Sequence, residues 1–143
     1  MRPDFNTARF AAEPFPHMWI PQILRQEDAN RVLGWMQTRA PWALRDLLRS
    51  KQTIRIHNDY LDGEETHRLL IQLNAGWDRK QGGLLMLFGD KRPESLARTI
   101  VPTHGSGFAF EISQASFHAV SSITDGERFT LVYTFRRTRP KAR

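Results

Sequence analysis

Thr53-Ile54-Arg55-Ile56-His57-Asn58-Asp59 alternates apolar and polar residues with a period of two. That period belongs to a half-buried β-strand, whose successive side chains point to opposite faces. Upstream the spacing is helical. Gln26 to Thr38 carries Ala29, Val32, Leu33 and Met36 three and four apart, with Trp35 beside them, which predicts an amphipathic helix. A shorter helix is expected over Ala43 to Arg49, after Pro41. Phe15 to Ile20 reads as a short extended segment ended by Pro21, and residues 1–14 as a loose arm. Downstream, Arg68–Asn74, Leu84–Phe88, Arg98–Val101, Gly107–Glu111, Phe117–Ile123 and Arg128–Arg136 read as strands between turn-rich stretches. One or two helices followed by seven or eight short strands predict a mainly β fold with N-terminal helices. The expected form is a helix-buttressed sandwich or jelly roll, one domain over residues 1–143.

Composition agrees with a single domain. The chain has 143 residues, 40% hydrophobic and 10% aromatic, enough apolar content to exclude a disordered chain. No apolar run approaches the roughly 20 residues of a membrane span, and MRPDFNTARF carries no apolar signal region. With no cysteine, disulfides, thiolate metal sites and cysteine nucleophiles are excluded. A cytoplasmic location is expected. The net charge is +6, but residues 136–143 hold five basic side chains and no acid. Without them, 16 basic face 15 acidic residues, so the excess charge is a tail over residues 137–143 and its neighbour Arg136. Neither nucleic acid nor a membrane is expected as a partner.

His57 has an acid two residues on, Asp59, and none of the other four histidines does. On a strand, i and i+2 share a face, so one imidazole and one carboxylate could meet the same ion. A second imidazole from far along the chain would complete a two-histidine, one-carboxylate set with three open positions, typical of non-haem Fe(II) oxygenases. His118, in Ser116-Phe117-His118-Ala119-Val120, supplies a candidate on the penultimate strand. Arg128 opens the last strand, with Thr130 on the same face. If these two strands pair through a short turn, both side chains enter one cavity. A guanidinium fork beside a hydroxyl suits a carboxylate held some ångströms from a metal. Taken singly, His57–Asp59 is a strand-end hydrogen bond, His118 a satisfied core histidine and Arg128 a surface arginine. Their conjunction carries the reading.

The chain at this point resembles the 2-oxoglutarate/Fe(II)-dependent oxygenases, especially the prolyl-4-hydroxylase-like branch. The matching residues are His57-Asn58-Asp59, the run Arg68-Leu69-Leu70-Ile71-Gln72-Leu73-Asn74 through Trp77, Gly82-Gly83-Leu84, and His118 to Arg128. Phe15-Pro16-His17 is similar to the opening of small amino-acid-modifying members. The resemblance spans about residues 15 to 136. It implies a double-stranded β-helix, the jelly-roll form, with the N-terminal helices on the larger sheet. It further implies that His57, Asp59 and His118 ligate Fe(II), which 2-oxoglutarate chelates. Arg128 would pair with the distal carboxylate, assisted by Thr130; from its strand face Gln72 could equally touch 2-oxoglutarate. O2 is the second co-substrate, and succinate and CO2 are products. Related halogenases carry a small residue in place of the acidic ligand; Asp59 therefore implies hydroxylation.

For the substrate, Arg55 is expected on the His57 face, and Arg68, Gln72 and Asn74 on one face of the next strand, with Trp77 as an apolar wall. Inward arginines favour a small anionic or zwitterionic substrate, a free or carrier-tethered amino acid or similar metabolite. The first alternative is a hydroxylase of protein prolyl or aspartyl side chains; the second is a catalytically retired binding module. The chain is short for its relatives, with the arm, the Asp62–Thr66 turn and the Asp90–Glu94 loop as lid candidates. Either a large substrate covers the site itself or a second subunit, in a homodimer, supplies the missing wall.

Overall fold

The computed structural model describes residues 2–39 and 54–137. The helix expected over Ala43–Arg49 lies outside them. Two sheets are present, built from β1 (Arg9–Ala11), β2 (His17–Ile20), β3 (Ile54–His57), β4 (Glu65–Gln72), β5 (Leu85–Phe88), β6 (Leu96–Ile100), β7 (Gly107–Glu111), β8 (His118–Val120) and β9 (Thr130–Arg136). The larger sheet runs β1-β2-β7-β4-β9 and the smaller β3-β8-β5-β6. From β3 to β9 the chain moves repeatedly between the two sheets, consistent with a jelly-roll oxygenase fold. One element departs from expectation: the N-terminal arm is tied down, with β1 paired antiparallel to β2.

The period of two sorts the core into two layers. On β4, Leu69 and Ile71 face one way and Leu70 the other. Ile71, Leu69 and Leu131 pack with Ile20, Ile23, Leu24, Leu73 and the helix residues Ala29, Leu33 and Met36. Those three lie on α1 (Gln26–Thr38), which therefore covers the larger sheet as its spacing predicts. Trp35, beside that stripe in the sequence, stays half exposed. Phe108, Phe110 and Leu70 of the larger sheet meet Leu85, Leu87, Ile100 and Val120 of the smaller one in the second cluster. The arrangement is three-layered: helix, five strands, four strands. Within α1, Asp28 is buried, and its carboxylate is met by Arg25 at 3.0 Å and Arg31 at 3.7 Å. A buried carboxylate needs such partners to offset the cost of leaving water.

The expected pairing of the last two strands does not occur. β8 belongs to the smaller sheet, between β3 and β5, whereas β9 closes the larger sheet beside β4. Residues 121–129 are long enough to cross the roughly 10 Å between stacked sheets. Their path is held by an isolated bridge between Ile123 and Gly82 and by the Ser122 carbonyl accepting from Gly83 N at 3.1 Å. Gly82 and Gly83 adopt φ of 74° and 63°. A Cβ on Gly82 would meet the Ser122 carbonyl oxygen at 1.9 Å, so only glycine fits there. His118 and Arg128 thus reach the interior from opposite walls.

Candidate active site

His57, the last residue of β3, is the register partner of His118, the first of β8. Their ring centroids lie 4.3 Å apart. Each Nδ1 donates to the carbonyl two residues back, His57 to Arg55 at 2.7 Å and His118 to Ser116 at 2.8 Å. A carbonyl only accepts, so Nε2 is the atom that bears a proton toward Asp59 when a ring is charged and a free lone pair when it is neutral. The two Nε2 atoms lie 3.1 Å and 3.2 Å from Asp59 Oδ1 and Oδ2. The ligand atoms of the three residues fall within 4.8 Å of one another. Oriented imidazoles whose other nitrogens are hydrogen-bonded, converging with one carboxylate, fit a divalent metal.

The three residues converge, though Asp59 does not share a strand face with His57. β3 ends at His57, and Asp59 lies beyond it in a left-handed turn at φ 57°. That conformation is uncommon for a residue with a Cβ, although aspartate tolerates it better than most. Asn58 locks the turn: its Nδ2 donates to the Gln114 carbonyl at 3.0 Å and its Oδ1 accepts from Tyr60 N at 3.1 Å. Ser116 Oγ donates to the Asn58 carbonyl at 3.0 Å. These bonds fasten the Asp59 turn to the segment leading into His118. Sequence reading passed over Asn58 as the middle of the motif.

Burial alone would raise the Asp59 carboxyl. The hydrogen bonds from His118 and His57, with the charges of His118 and Arg68, outweigh it and hold Asp59 well below the usual carboxylate range. The hydrogen bond to Asp59 holds His57 above its ordinary value against the opposing pull of burial. Because a metal needs neutral imidazoles, protons compete with it from a higher pH than at an unperturbed histidine. Metal affinity is therefore expected to level off at alkaline pH. As pH falls through the raised His57 value it should drop up to about tenfold per unit for each proton displaced. Co(II) titrations across that range read this directly; an affinity that does not change there would exclude His57 as a ligand.

A second polar centre lies across the interior. Gln72 Oε1 accepts from Thr130 Oγ1 at 2.8 Å, Arg128 Nη2 at 3.3 Å and Asn74 Nδ2 at 3.5 Å. Arg128 Nε has no partner, and among the described residues no carboxylate pairs with this guanidinium. Desolvation brings Arg128 down to about 10. Its Cδ packs on Gly83, where a Cβ would sit 3.0 Å from it and 3.2 Å from Trp77 Cζ2. Arg68 and Gln72 share the interior face of β4, about 13 Å apart along the strand, with Leu70 between. Arg68 marks the Asp59 end of this face and Gln72 the other.

The remaining candidates separate. Asn74 is buried, its Nδ2 donating to the Pro102 carbonyl at 3.0 Å and its Oδ1 accepting from Phe129 N at 2.6 Å, so it positions the entrance to β9. Trp77 donates from Nε1 to the Gly82 carbonyl at 3.0 Å and backs the glycine pair. Arg68 points at Asp59 and Glu65. Arg55 is exposed; a register shift between Ile54 and His57 breaks the alternation on which its placement beside His57 rested. Of the other histidines, His17 is buried and its pKa is lowered by desolvation. His104 Nε2 lies 3.0 Å from Asn30 Oδ1, and His67 is exposed.

Comparison with known proteins follows the same lines. The family model of the 2OG-Fe(II) oxygenase superfamily matches residues 46–136. Prolyl 3-hydroxylase OGFOD1 of Xenopus laevis is 33% identical over 79 residues, 52% of this chain and 15% of that protein. The Mus musculus protein of the same name is 31% identical over 74 residues, 50% of this chain and 13% of that one. The chain therefore spans only a small part of these relatives. The crystal structure of a Pseudomonas putida prolyl-4-hydroxylase aligns with a TM-score of 0.52 and 26% identity, covering 63% of this chain and 49% of that one. The span matched by the family model, residues 46–136, contains His57, Asp59, His118 and Arg128, and the chain belongs to the 2-oxoglutarate/Fe(II) oxygenase superfamily, whose members use Fe(II), 2-oxoglutarate and O2, and is prolyl-4-hydroxylase-like.

Proposed function

We propose that β3 to β9 wind as a double-stranded β-helix and that this domain is an Fe(II)- and 2-oxoglutarate-dependent hydroxylase of prolyl residues in a protein or peptide. The observation that carries the cofactor reading is Arg128, a half-buried, desolvated cation that meets no carboxylate among the described residues and bonds to Gln72, on the same face of β4 as the Arg68 that meets Asp59. A desolvated, unpaired guanidinium costs stability that an anionic ligand offsets.

His57, Asp59 and His118 would hold the Fe(II). Bound Fe(II), with 2-oxoglutarate and O2, supplies the conversion of an aliphatic C–H bond to C–OH while the keto acid loses CO2 and becomes succinate. Arg128 has N–H donors to spare beyond the one given to Gln72, and they can grip the distal carboxylate bidentately. Thr130 adds a hydroxyl, and Gln72 fixes both donors by accepting from each. Leu70, between Arg68 and Gln72 on that face, would offer the methylene carbons of a dicarboxylate an apolar surface.

Two considerations favour a prolyl substrate over a free amino acid. The relatives named above are prolyl hydroxylases. The amino-acid reading also needed free inward arginines, yet Arg68 is engaged by two carboxylates and Arg55 is exposed. Beside Asp59 the surface forms a small open hollow lined by Leu61, Asp62, Glu64, Glu65 and Arg136. The test is anaerobic loading with Fe(II) and 2-oxoglutarate, followed by succinate release in air with prolyl peptides or free amino acids. A visible charge-transfer band and peptide-stimulated succinate are expected. Stimulation by a free amino acid alone would overturn the substrate reading; no band with iron bound would overturn the enzyme class.

A further inference from the structure

Asp59 is held by three side chains. His57 Nε2 lies 3.1 Å from Oδ1, while Oδ2 receives Arg68 Nη1 and lies 3.2 Å from His118 Nε2. Arg68 is itself anchored, its Nη2 donating to Glu65 Oε2 at 3.1 Å, and Glu65 Oε1 accepts from Arg136 Nη2 at 2.9 Å. Arg68 is only 20% exposed, so this pairing is shielded from solvent far more than a surface ion pair. The guanidinium extends from the wall opposite β3 and β8, and its fork spans two carboxylates.

A carboxylate ligand can bind through one oxygen or both. Octahedral coordination by two imidazoles and one oxygen leaves three positions, two for a chelating keto acid and one for O2. Binding through both oxygens removes one. We propose that Arg68 is a positioning residue that occupies Asp59 Oδ2, limits Asp59 to Oδ1 as its ligand atom and so keeps three positions open. This inference rests on the iron-site reading above. It gives Arg68 a role other than the substrate contact expected from its place on β4.

The experiment loads the full chain with Mn(II) alone and counts rapidly exchanging inner-sphere waters by water-oxygen and proton relaxation. Three waters are expected in the wild type. In Arg68→Met, which keeps bulk but no donor, the count should fall to two as Asp59 closes on the metal. Arg68→Lys, which keeps a cationic donor, should return it to three. Circular dichroism establishes that each variant is folded. Three waters in folded Arg68→Met overturn the proposal and leave the iron site intact. Two waters in the wild type overturn it without any variant, including the case in which Arg68→Met does not fold. A wild type that takes up no Mn(II) overturns this inference together with the metal-site reading.

Discussion

Replacing His118 with alanine is expected to abolish Fe(II) retention and lower kcat/KM by roughly a thousandfold or more, equivalent to about 4 kcal/mol of transition-state stabilisation. One of two imidazoles is lost from a site with a single carboxylate, so too few donors remain to compete with water. The fold should survive. His118 is 7% exposed and meets Phe110 edge-on at a centroid distance of 4.9 Å. Removing that contact is expected to cost about 0.5–3 kcal/mol, the ordinary range for a destabilising substitution. Iron content and a thermal melt separate the two effects. A folded variant that still holds one iron per chain would return His118 to the role of a core histidine.

Arg128→Met should have effects of opposite sign on binding and stability. The Michaelis constant for 2-oxoglutarate is expected to rise about 30-fold to several-thousand-fold, from the roughly 2–5 kcal/mol attached to one partner of a buried charge pair. The co-substrate-free protein should become no less stable and melt at the same or a higher temperature. Burial already costs this guanidinium, and an apolar chain of similar length removes that cost. Steady-state kinetics over a range of 2-oxoglutarate and melts without it read both quantities. A lower melting temperature with an unchanged Michaelis constant would make Arg128 a structural residue.

Much of this was legible in the sequence because the signals are local. The period-two runs became β3, β4, β5, β7 and β9 within a few residues, and the helical stripe Ala29, Leu33, Met36 faces the larger sheet. The convergence of His57, Asp59 and His118 was legible because a short motif and one distant histidine suffice to suggest it. What depends on the third dimension was not. Alternation tells which residues share a face but not which sheet a strand joins, so β8 and β9 looked like a hairpin. It also fails silently at a bulge, as at Arg55, and at a strand end, as at Asp59. Nor does it show what a charge is already bound to: Arg68 faces inward as expected, but Asp59 and Glu65 engage its two terminal nitrogens. Asn74 lies at its anticipated place and spends its amide on backbone.

The crossing of residues 121–129 gives the co-substrate a second part to play. His57 and His118 stand on one plate of the sandwich; Gln72, Thr130 and the adjoining Arg128 stand on the other. A molecule gripped at one end through the metal and at the other by the guanidinium is a rivet through both plates. At a hundredfold excess over its dissociation constant such a rivet adds about 2.7 kcal/mol to the folded state. On the proposed reading, the supply of keto acid sets the lifetime of the domain as well as its rate of turnover. A starved enzyme is then one whose two plates are freer to part.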